Sequence, residues 1–130
     1  MSFAGCANKF FFESPDVLLC WPKAEMVNAR IRISRWGPLW TVQGVIPNRQ
    51  PSGEGVFWFI LEQPVGHKPL LLLLADGKPL GNVLWSGSGD GFLVVFPGSF
   101  VANPRLVTLE LLDSCSQTRT PVGVFQILPP

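Results

Sequence analysis

Three arginines crowd one short segment, Ala29 to Trp36 (ARIRISRW), and a second tryptophan, Trp40, follows closely. Guanidinium groups that neutralise phosphates, next to indoles on which bases stack, are the parts of a groove for single-stranded nucleic acid. Arg30, Arg32, Arg35, Trp36 and Trp40 are therefore the candidate binding residues. The same segment also alternates. Ala29, Ile31 and Ile33 interleave with Arg30, Arg32 and Ser34, the period of two that puts one strand face on a core and the other in water. No aromatic stands on the arginine face, and a formal net charge of +1 supplies no broad positive field. A half-buried strand with solvated arginines is the favoured reading, and a nucleic-acid surface is its alternative.

Other chemistry is sparse. The single histidine, His67, lies in the turn-like stretch VGHKP, and no two cysteines stand at the short spacing that lets ligands share an ion. No metal and no cofactor are expected, and a surface role suits His67 better than that of a nucleophile's base. The nine carboxylates are scattered, so a hydrolase site on a sandwich scaffold, built from a carboxylate pair that only the fold could bring together, is a second alternative. The stretch SGSGDG, Ser86 to Gly91, has the amides of a phosphate cradle. However, it leads into the strand-like FLVVF instead of a helix N-terminus, which makes it a hairpin connection.

Cys6, Cys20 and Cys115 are odd in number and far apart, which predicts free thiols and a cytoplasmic protein. The stretch FAGC, Phe3 to Cys6, has the form of a lipoprotein cleavage box, but only two residues precede it and no leader is expected. The longest apolar run, PLLLLLA, is too short to span a bilayer as a helix and is broken by Asp76 and Gly77.

The elements that must position these residues read as strands. Thirteen glycines and thirteen prolines punctuate short apolar runs, the pattern of an all-β chain. After the arginine strand, further strands are predicted at Leu39 to Ile46, Val56 to Gln63, Leu70 to Ala75, Gly81 to Trp85, Phe92 to Phe96, Leu106 to Leu112 and Val122 to Leu128. Asp76 and Gly77 supply the turn that folds Leu70 to Ala75 back on Gly81 to Trp85. Ser14 to Pro22 could form one short helix near the N-terminus, or a strand from Val17 to Trp21. Arg49 to Gly55 reads as an exposed, mobile loop. The expected fold is one domain, residues 1–130: an antiparallel β-sandwich, jelly-roll or immunoglobulin-like, or a closely related barrel of about eight strands.

Composition then bears on function. Apolar residues make up 47% of the chain and charged residues only 15%, against roughly 25% in soluble domains, so few charges cover the surface. Five tryptophans and ten phenylalanines without a tyrosine point to burial, and Trp58 in VFWFIL has the setting of a strand covered on both faces, by the sandwich and by a partner. The leading expectation is a non-enzymatic binding or assembly module, a homo-oligomer formed through apolar strands, with a protein partner as the other possible occupant.

Overall fold

A computed structural model of the chain describes residues 31–66 and 68–130. The candidate helix at Ser14 to Pro22, and Arg30, His67, Cys6 and Cys20, lie outside the described residues.

Eight strands follow in chain order: β1 (Ile33–Gly37), β2 (Trp40–Val42), β3 (Gly55–Leu61), β4 (Leu71–Ala75), β5 (Lys78–Trp85), β6 (Gly91–Phe96), β7 (Arg105–Asp113) and β8 (Thr118–Leu128), with one 3-10 turn at Gly98–Val101 between β6 and β7. They hydrogen-bond in the order β1-β3-β6-β5-β4-β7-β8-β2. All pairs are antiparallel except β2 with β8. The sheet thus nearly closes on itself. Its two edge strands are consecutive in the chain, joined through the cis Gly37–Pro38 peptide.

Two layers can be traced within this sheet. β5 pairs with β4 as far as Asn82 and with β6 from Val83 onward, so it crosses from one layer to the other. The first layer is β1-β3-β6 with the end of β5; the second is the start of β5 with β4-β7-β8-β2. The all-β sandwich or closely related barrel of about eight strands expected from the sequence is therefore present. The near end of the sandwich, where β1 begins, also holds the end of β3, the start of β6, the end of β7 and the start of β8.

Alternation builds the core. Phe57, Phe59 and Leu61 of β3, Phe92, Val94 and Phe96 of β6, Val107, Leu109 and Leu111 of β7, and Phe125 and Ile127 of β8 all point inward and are buried. Phe57 joins the layers, with ring centroids 4.8 Å from Phe96 and 4.9 Å from Phe125. Burying one such ring contributes roughly 1.5–3 kcal/mol.

The Asp76-Gly77 turn expected from the sequence is present. Ala75 pairs with Lys78, leaving Asp76 (φ 52°) and Gly77 (φ 82°) as a two-residue loop with both φ values positive, the type I′ geometry that Asp-Gly favours. Asp76 also continues the ladder onto β7: its N–H donates to Thr108 O at 2.8 Å, and its Oδ1 accepts from Thr108 N at 2.9 Å.

Three expectations need adjustment. The arginine strand begins at Ile33, and a bulge between Ile33 and Arg35 shifts its phase. Leu39 to Ile46 holds only the three-residue β2, because the chain turns at Gly44 (φ 81°). Cys115 is disulfide-bonded, so the expectation of free thiols fails there; it lies in the β7–β8 turn, where Asp113 Oδ1 accepts from its N–H at 2.9 Å.

Candidate interaction surfaces

The bulge in β1 decides where the candidate binding residues go. It inserts Ser34 between Ile33 and Arg35, so that Ile33 and Trp36 both face the core although their spacing breaks a strict alternation. Trp36 lies 6.2 Å from Phe57 and 6.3 Å from Phe59 between ring centroids, half-buried. Arg35 is exposed on the outer side of the first layer beside Ile60, and Arg32 is exposed just before β1. Trp40 is exposed on β2, in the second layer. The structure therefore brings neither candidate tryptophan onto the face that carries Arg35: Trp36 packs against the core and Trp40 is on the opposite layer, while the aromatic on the Arg35 face, Trp58, is half-buried over Gly37.

What Trp40 does share is a row of uncharged residues. It stands opposite Gln126 of β8, which stands opposite Leu106 of β7. Each has buried inward neighbours along its own strand, Thr41, Phe125, Ile127 and Val107, so all three side chains point outward. Val124 and Leu128 are outward on β8 by the same alternation. The exposures are large for apolar residues: Leu106 64%, Trp40 56% and Val124 50%. This surface lies toward the far end of the second layer, and the cation at its margin, Arg105, sits 5.1 Å over the Phe100 ring.

Sequence reading missed Leu106, Val124, Gln126 and Leu128. A signal was available: in RLVTLELLD the inward phase is Val107, Leu109, Leu111, so Leu106 is a leucine in the phase reserved for polar residues.

A second apolar surface covers the outer side of the first layer. Trp58 stands opposite Leu93, and Leu93 opposite Leu84, one directly paired row across β3, β6 and β5. Ile60 extends it toward the near end. Leu84 is 56% and Leu93 46% exposed, while Trp58 is half-buried, packed over Gly37.

Of the six carboxylates among the described residues, five are committed to local structure. Asp76 holds Thr108 and Asp113 holds the Cys115 turn, as above. Asp90 accepts from the Ser86 and Ser88 hydroxyls at 2.8 Å each, and those bonds hold its carboxyl below the ordinary range. Glu110 pairs with Arg119 at 3.4 Å, and Glu54 accepts from the Ser52 hydroxyl at 2.9 Å. Among the described residues no three His, Cys, Asp or Glu side chains gather as metal ligands would. The stretch SGSGDG connects β5 to β6 as a hairpin.

Compared with protein-family models and with curated proteins, the chain matches none.

Proposed function

We propose that this protein is a non-enzymatic assembly module that associates with copies of itself through the outer face of its second layer. The observation that carries the reading is the Trp40–Gln126–Leu106 row with Val124 and Leu128 beside it: four exposed apolar side chains around one glutamine, with no charge among them. A row of this kind, fully covered by a partner, gives the apolar centre that homodimer contacts require, and tryptophan is among the residues that dominate such contacts.

Two other readings draw less support. Phosphate and base recognition would need the arginines and tryptophans on one face, whereas Arg35 and Trp40 belong to different layers and Trp36 packs inward. A hydrolase would need carboxylates free to act on a substrate, whereas five of them hold turns, hydroxyls or an ion pair. A bonded Cys115 also suits an oxidising compartment better than the cytoplasm expected from the cysteine count. No helix among the described residues is long and apolar enough to cross a membrane.

The test is the mass in solution. Light scattering over a roughly hundredfold dilution from the micromolar range should return at least twice the chain mass of 14.3 kDa at the concentrated end. A mass near 14.3 kDa throughout would overturn the assembly reading.

A further inference from the structure

The apolar row on the second layer has a polar centre. We infer that Gln126 meets Gln126 of a second copy across a two-fold axis, and that this amide pair sets the register of the contact. The placement rests on the self-association proposed for this face and says where on the face the axis lies.

Gln126 is the polar member of its row, with Trp40 opposite it on one side and Leu106 on the other. Val124 and Leu128, two residues away along β8, are exposed with it. Its side chain is uncommitted. Gln43, Gln50 and Gln117 each donate Nε2 to a backbone carbonyl, at 2.9, 2.8 and 2.8 Å, whereas the Gln126 amide has no hydrogen-bond partner among the described residues. The backbone here is occupied as well, because β8 lies between β7 and β2 and pairs with both. The side-chain amide is therefore the polar group that this part of the face offers a partner.

Covering the face takes water away from that amide. A buried amide needs hydrogen-bond partners, and glutamine carries its own complement, a carbonyl acceptor beside N–H donors. Across a two-fold axis the Nε2 of each copy donates to the Oε1 of the other, so both amides are satisfied without a third group. Facing sheets pack about 10 Å apart, a gap that two glutamine side chains meeting end to end bridge. The same alignment sets apolar on apolar at both ends of the row, since Trp40 and Leu106 each stand one strand, about 4.8 Å, from the axis. Sliding one copy by a strand would press Gln126 onto Trp40 or Leu106 and leave its amide dry and unpaired. A lone polar residue in an apolar seam selects one register in this way.

The experiment replaces the amide by opposite charges in two full-length variants. Gln126 is exposed, so Gln126→Glu and Gln126→Lys should each keep wild-type circular dichroism. Sedimentation equilibrium near neutral pH, at a concentration where wild type is a dimer, should show each variant alone as a monomer. Like charges facing each other should weaken association at least about 100-fold. The equimolar mixture should return to the dimer, within about tenfold of wild-type affinity, because a carboxylate then faces an ammonium. Variants that each dimerise as tightly as wild type overturn the inference, since Gln126 then lies away from the axis. A mixture as monomeric as its components overturns it too, because Gln126 then faces something other than itself. A wild type that is monomeric at every concentration removes the assembly reading first, and the amide pair with it.

Discussion

The indole of Trp58 lies over the backbone of Gly37 on the neighbouring strand: a Cβ placed at Gly37 would stand 2.5 Å from Trp58 Cζ2 and 2.9 Å from Cε2. The two residues are directly paired between β1 and β3. An aromatic covering a glycine across an edge pair restores the packing that the missing side chain forgoes, and here it also fixes the orientation of the largest side chain on the first layer's outer face.

Gly37→Ala should therefore lower stability by about 1–3 kcal/mol through overpacking, read as a shift in the urea midpoint. In a Trp58→Ala background the same change should cost much less, because the atom it strikes is gone. Equal costs in the two backgrounds would show that the contact is not what limits residue 37.

The Asp76-Gly77 turn offers a test of backbone conformation alone. Neither Gly77 nor Gly87 has an atom within 4 Å of a Cβ built on it, but only Gly77 has a positive φ, 82°. Gly77→Ala should cost about 1–2 kcal/mol, and Gly87→Ala should stay within about 0.5 kcal/mol of wild type. Thermal melts of the two variants check this, and matching melting temperatures would contradict the type I′ assignment.

Much of the fold was legible because a strand's period of two survives in a linear sequence. The eight strands predicted correspond to the eight observed, and the Asp-Gly hairpin follows from two residues whose backbone preferences are local. Less legible was the path of the Arg35 segment. A single bulge at Ser34 reverses which residues face inward, and it places Trp36 in the core; the spacing of Ile33 and Trp36 hinted at it, but only the partner strand β3 fixes it. The apolar rows were harder still, since Trp40, Gln126 and Leu106 come from three strands that meet only through the sheet order. The bonded state of Cys115 was out of reach for the same reason, because cysteine spacing in the sequence does not say which thiols the fold brings together.

Asp90 gives a pH test. Hydrogen bonds from Ser86 and Ser88 lower its carboxyl pKa in the folded chain, so the stabilisation it contributes is complete above the ordinary carboxylate range and is lost as pH falls through the lowered folded value. Asp90→Asn should thus differ most from wild type in denaturant midpoint near neutral pH, and the two should converge in acid. A difference that stays constant with pH would show that the carboxylate's charge has no part in holding the β5–β6 loop.

Core truncation should separate the joint between layers from the surface. Phe57→Ala removes the ring that touches both Phe96 and Phe125 and should cost about 3–5 kcal/mol. Replacing exposed Val45 by alanine should change stability by less than about 0.5 kcal/mol. Equilibrium urea unfolding measures both, and a comparable cost at the two sites would contradict the placement of Phe57 at the centre of the core.

Self-association through the Trp40–Gln126–Leu106 row is tested most directly by sedimentation equilibrium of wild type beside Leu106→Glu. Leu106 is the most exposed of the large apolar side chains described, so glutamate there should leave the monomer folded, while a charge buried without a partner in the contact should weaken association by about 100-fold, equivalent to about 2.7 kcal/mol. The account predicts a variant with wild-type circular dichroism that sediments as a monomer at concentrations where wild type is a dimer or larger. A variant that assembles as tightly as wild type would contradict it.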